Sequence, residues 1–145
     1  MKKVFVFCGI LLAGIFLLVK GQHVFKKELT EDLKNEITME VEKLNHPVVK
    51  KAIQALQHAD SKAWFALFTA DAQLFDDGSE RNFKRFFEKA IGSERFLSID
   101  KVADDDRSIY GRFHSDTWGD FKTYFKFQIN ENGKIIRLDI GQAKY

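Results

Sequence analysis

The sequence predicts an α+β domain, helices first and an antiparallel sheet second. Three observations carry this reading. Apolar residues recur at helical spacing up to about residue 90. From Arg95 onward they alternate with polar residues. An Asn-Gly pair, Asn132-Gly133, separates two of the alternating runs.

The elements follow in order. A hydrophobic leader comes first. Lys2-Lys3 precede the uncharged, mostly apolar run Val4 to Val19, and Lys20-Gly21-Gln22 follow. A basic start, an apolar stretch and small residues near a cut describe a secretory signal peptide. Val19 and Gly21 suit the positions that precede a cut before Gln22. The alternative is an uncleaved membrane anchor built on residues 4–19. Sixteen residues at helical rise reach about 24 Å, short of the ~30 Å hydrocarbon core. The expected location is therefore periplasmic or secreted, with the membrane involved only if the leader stays. Cys8 lies inside the run behind Phe7, where a lipoprotein cut needs a small residue. No other cysteine exists, so the mature chain has no disulfide and no thiol chemistry.

Residues 22–46 are charged, with a narrow apolar stripe at Leu29, Leu33, Ile37, Val41 and Leu44. The spacing is helical, and Thr30 suits its cap. This helical linker either rests on the domain or reaches a partner. Pro47 opens a second helix through Ala59, since proline suits the first helical position. Asp60 caps a short helix, Ser61 to Phe68. A strand covers Ala72 to Asp76, and Asp77-Gly78-Ser79 is a loop. Asn82 to Ala90 is a helix rich in phenylalanine, closed by Gly92. In the alternating part, Asp104-Asp105-Asp106 and Trp118-Gly119-Asp120 turn the chain. Ile109, Gly111, Phe113 and Ser115 share one face of a strand, and Phe121, Thr123, Phe125, Phe127 and Ile129 share one face of the next. The last strand runs from Lys134 to Gly141. The domains expected are 1–21 as leader, 22–46 as linker and 47–145 as the folded domain.

Composition bounds the function. A chain of 145 residues with 45% hydrophobic residues and 15 Phe fits one domain with a real core. One Pro and nine Gly exclude a low-complexity chain. The formal charge is +2. Cleavage of the leader removes Lys2, Lys3 and Lys20 and leaves 20 basic against 21 acidic residues. There is no basic stripe for nucleic acid.

The chemistry-bearing candidates are few. Leu74 and Asp76 share one side of their strand, which directs the Asp76 carboxylate inward. Burial there raises its pKa toward that of a useful general base. The competing reading of Asp76 and Asp77 is turn chemistry before Gly78. Trp64, Phe68, Leu74, Phe86, Phe87, Phe125 and Phe127 either line a ligand pocket or fill the core. His114 shares a strand face with Tyr110, Arg112 and Asp116, as a second acid/base or as an exposed strand histidine. His23, His46 and His58 do not pair at ligand spacing, and no metal or other cofactor is expected. Neither a Ser-His-Asp arrangement nor a glycine-rich phosphate loop stands out.

Two stretches carry a resemblance. One runs from Ala59-Asp60 through Phe68-Thr69-Ala70-Asp71-Ala72 to Phe75-Asp76-Asp77-Gly78. The other is Phe127-Gln128-Ile129-Asn130-Glu131-Asn132-Gly133-Lys134-Ile135-Ile136-Arg137. Together they resemble the nuclear transport factor 2-like superfamily, which includes the SnoaL-like cyclases and the ketosteroid isomerases. The resemblance covers about residues 47–142. It implies a cone, with a curved antiparallel sheet wrapped around the N-terminal helices and a pocket inside. It also implies a small apolar ligand and a homodimer formed through the sheet.

Against ketosteroid isomerase, Asp76 falls on the general base. The two oxyanion donors of that family, a tyrosine and a protonated aspartate, are replaced by Ala52 and Phe125. An oxyanion donor contributes about 3–4 kcal/mol, so a steroid isomerase of that mechanism is not expected. SnoaL-like cyclases lack that donor pair and remain compatible with Asp76. The expected function is an exported domain that binds a small molecule or a partner. The alternatives are a proton-transfer enzyme that uses Asp76 (a cyclase, dehydratase or isomerase) and a dimeric interaction module.

Overall fold

A computed structural model describes residues 31–38 and 40–145. The leader, its cut before Gln22 and residues 22–30 of the linker lie outside the described residues. The chain divides into two units, Met1–Asn35 and Glu36–Tyr145. In the first, residues 31–35 are helical. All that follows concerns the second. Among the described residues, no helix is long and apolar enough to cross a membrane.

Residues 36–38 and 40–42 are helical, and Ile37, Val41 and Leu44 are buried in the core cluster. The core therefore begins upstream of Pro47. Asn45-His46-Pro47 ends the stretch, as the sequence predicts. The Asp106 carboxylate accepts the backbone N–H groups of Asn45 and His46 at this corner. Asp104, Asp105 and Asp106 all have positive φ, between 53° and 63°. Short polar side chains tolerate that conformation best after glycine.

Helix α1 is Pro47–Gln57 and buries Val49, Ala52, Ile53, Ala55 and Leu56. It stops two residues before the predicted Ala59, which has a φ of 55°. Helix α2 is Ser61–Ala66, with the Asp60 carboxylate accepting the Ala63 N–H at 2.9 Å. It ends before the predicted Phe68 because the sheet takes over there. Ile135 donates its N–H to the Leu67 carbonyl, and strand β1 covers Phe68–Asp76. The expected loop at Asp77-Gly78-Ser79 is a tight hairpin. Asp77 and Gly78 have φ of 46° and 81°, as a two-residue turn with both central residues left-handed requires. Strand β2, Ser79–Arg81, follows it. Helix α3 is Phe83–Ala90, capped by the Asn82 side chain.

The remaining strands are β3 (Glu94–Phe96), β4 (Lys101–Ala103), β5 (Ser108–Ser115), β6 (Gly119–Ile129) and β7 (Ile135–Gln142). The seven strands form one sheet in the order β2-β1-β7-β6-β5-β3, with β4 also on β5. All pairs are antiparallel except β1 with β7. The sheet is curved and unclosed. Ile109, Phe113, Phe125, Phe127, Leu138 and Ile140 face the core, and α1 and α2 cover them with Ile53, Leu56 and Trp64.

Candidate functional site

A cavity of about 340 Å³ opens on the helix-bearing face of the sheet. Its aromatic wall is Phe86 from α3, Phe113 from β5, Phe121 and Phe125 from β6, and Trp118 from the β5–β6 turn. Ile140, Gly141 and Gln142 of β7 and Thr123 of β6 continue the wall. Three acidic residues, Asp76, Asp77 and Glu94, complete it.

The strand register aims these groups. Leu74 is fully buried and Asp76 lies two residues on, so both share a face. Asp76 pairs in register with Ile140, which itself lines the cavity. Asp77 is committed to the strand end: its carboxylate accepts the Gln142 N–H at 2.9 Å, and its own N–H donates to the Ile140 carbonyl. Glu94 lies two residues before the buried Phe96 on β3, opposite Ser115. Helix α1 holds this short strand. The Gln57 side chain accepts the Phe96 N–H at 2.8 Å and donates to the Phe96 carbonyl at 3.0 Å.

The other two carboxyls, Asp76 and Glu94, both have raised pKa values. Burial raises the Asp76 pKa; the Arg81 guanidinium opposes this and the Asp77 charge adds to it. The Arg81 contact is long, at 3.6 Å. Burial also raises the Glu94 pKa. The Ser115 hydroxyl pulls the other way, and the charges of Asp76 and Asp116 push it up.

The structure distributes the predicted site residues as follows. Asp76, Phe86 and Phe125 meet at the cavity. Trp64, Phe68, Leu74, Phe87 and Phe127 do not line it. They are core side chains, with Trp64 packed at 5.0 Å from Phe68 and 4.6 Å from Phe87 between ring centres. Trp64 buries an indole N–H that finds no partner among the described residues. His114 does not line the cavity with Asp76. Its strand neighbour Phe113 faces the cavity, so His114 faces the other way. There Nδ1 lies 2.6 Å from Asp120 and Nε2 lies 3.2 Å from Asp116. Glu94, Phe113, Phe121 and Trp118 are the site residues that the sequence reading missed. Period two counted back from Phe96 puts Glu94 on the inner face.

No protein-family model matches the chain, and no curated protein matches it by sequence. Solved structures do. One is a nuclear transport factor 2-like protein of unknown function from Cytophaga hutchinsonii. It is 11% identical, with a TM-score of 0.54 over 66% of this chain and 87% of that one. Another, from Sinorhizobium meliloti, carries a proposed polyketide cyclase assignment. It is 20% identical, with a TM-score of 0.53 over 64% of this chain and 92% of that one. The chain has the nuclear transport factor 2-like fold. The Anabaena orange carotenoid protein, solved binding canthaxanthin, contains the same fold. It is 21% identical, with a TM-score of 0.50 over 66% of this chain and 35% of that longer one.

Proposed function

We propose that the cone cavity binds a small, mainly apolar molecule and holds its polar end at Asp76 and Glu94. One observation carries this: an aromatic-walled cavity of about 340 Å³ with the carboxyls of Asp76 and Glu94 on its wall. The volume is in the range of small-molecule sites, which pair apolar walls with a few placed polar groups. The apolar ligand of the carotenoid protein is in keeping with an apolar cavity in this fold. Ligand screening by thermal shift, followed by Kd measurement on Ile140→Phe, tests the reading. Ile140 lines the cavity, so the larger ring narrows it and weakens binding. Binding with an unchanged Kd places the ligand elsewhere and sinks the proposal.

A second reading, proton transfer with Asp76 as general base, is favoured by the raised pKa of Asp76 beside a second carboxyl. Ala52 is fully buried and Phe125 is a wall residue. Neither supplies an oxyanion donor, so this reading does not extend to the steroid isomerase mechanism. Asp76→Asn abolishes turnover of any substrate found; retained turnover rules out the role. Export through a cleaved leader stands as a proposal beside these. A mature chain that begins at Gln22 supports it, and an intact Met1 favours the anchor.

A further inference from the structure

We infer that the cavity selects a molecule whose polar end is a cationic amine on an aromatic or aliphatic body. The inference rests on the cavity being a binding site, as proposed above, and adds the charge class of its ligand.

The wall is one-sided in charge. Among the described residues, its ionisable groups are Asp76, Asp77 and Glu94, and no Lys, Arg or His lines it. Asp77 already accepts the Gln142 N–H. Asp76 has one cationic neighbour, Arg81 on β2, which is outside the wall and reaches it only at 3.6 Å. The groups that act on Glu94 are Ser115, Asp76 and Asp116, none of them cationic. A carboxylate taken from water without a counterion is costly. A ligand cation supplies that counterion. An anionic head group meets only like charge.

The apolar wall points the same way. Phenylalanine and tryptophan faces attract cations through the ring quadrupole. Phe86, Phe113, Phe121, Phe125 and Trp118 surround the space that the carboxyls address. A neutral hydroxyl ligand satisfies one hydrogen bond and leaves both benefits unused.

Three near-isosteric probes decide the matter: 2-phenylethylamine, 2-phenylethanol and 3-phenylpropanoate. Their Kd values are measured on the full chain by NMR titration, with Trp118 as a resonance at the cavity. The amine is expected to bind at least about tenfold tighter than the alcohol, as one charge-assisted contact and a cation–π contribution provide. The carboxylate is expected to bind more weakly than the alcohol. Amine affinity rises with pH as Asp76 and Glu94 ionise above their ordinary values of 3.8 and 4.5, against the fields of Arg81, Asp77 and Asp116, while the alcohol stays flat. Asp76→Asn and Glu94→Gln each shrink the amine-to-alcohol ratio, and Ile140→Phe weakens amine binding. Equal binding of amine and alcohol, or an amine preference kept in both carboxyl variants, overturns the inference and leaves the binding cavity standing. Failure of all three probes to bind overturns both.

Discussion

Asp76 and Glu94 line one cavity although three strands, β7, β6 and β5, separate their own strands in the sheet. On a flat sheet that spacing would hold them roughly 19 Å apart. Curvature of the sheet brings them together, close enough for the Asp76 charge to add to the burial that raises the Glu94 pKa. The cone is thus what makes the site.

Stability should depend on these two groups in a defined direction. Both bind a proton more tightly folded than unfolded. Above the ordinary values of 3.8 and 4.5 the native state therefore holds more protons than the unfolded state, and stability falls as pH rises through the raised values. Glu94→Gln removes one contribution to that fall. Its Tm should match the parent below the ordinary value and exceed it at neutral pH. A neutral-pH Tm below the parent's would show that Glu94 has a stabilising partner when charged.

Gly141 is required by its neighbours. A Cβ there would lie 2.1 Å from Asp77 Oδ1 and 2.6 Å from the Tyr124 hydroxyl. The Asp77 carboxylate cannot retreat without losing the Gln142 N–H. Gly141→Ala should cost about 1–3 kcal/mol, the usual penalty of overpacking, seen as a lower urea midpoint with an unchanged slope. Tyr124→Phe in the same chain should recover part of the loss by removing the hydroxyl.

Much of this was legible in the sequence. Alternation in β5, β6 and β7 and the Asn132-Gly133 turn gave the sheet. Pro47 and Asp60 marked two helix starts at the right residues, and Asn82, read as the first residue of its helix, is that helix's cap. The β2 strand was missed because Ser79-Glu80-Arg81 is wholly exposed and lacks an apolar pattern. It forms because Asp77-Gly78 turns the chain back on β1. The pocket was half legible. Asp76, Phe86 and Phe125 were readable from periodicity, but Trp64 and Phe87 have the same composition and face the core. Only the crossing of α2 and α3 decides which aromatic rings face space. Glu94 could not be paired with Asp76 from sequence, because their meeting depends on sheet curvature.

Trp64 fills the core at a cost. It is fully buried between Phe68 and Phe87, and its indole N–H has no acceptor among the described residues. A buried donor without a partner forfeits about 1–3 kcal/mol. Trp64→Ala should destabilise by roughly 3–5 kcal/mol through the void it leaves. Trp64→Phe removes the stranded N–H together with part of the ring. It should cost less than half as much. Chemical denaturation of the two variants separates packing from the polar penalty.

Gln57 couples the helix to the site without touching the cavity. Its side chain satisfies both backbone groups of Phe96, as a neighbouring strand would. β3 is only three residues long, Glu94–Phe96, so this contact helps fix where Glu94 points. Gln57→Met keeps the length of the side chain but strands the Phe96 N–H and carbonyl. It should cost about 1–3 kcal/mol and accelerate hydrogen exchange at Phe96 more than at Phe113 on the adjacent strand. If Glu94 depends on this anchor, the same variant also weakens binding of the amine probe while leaving that of the alcohol nearly unchanged. Parallel loss of both would mean that the cavity itself has deformed.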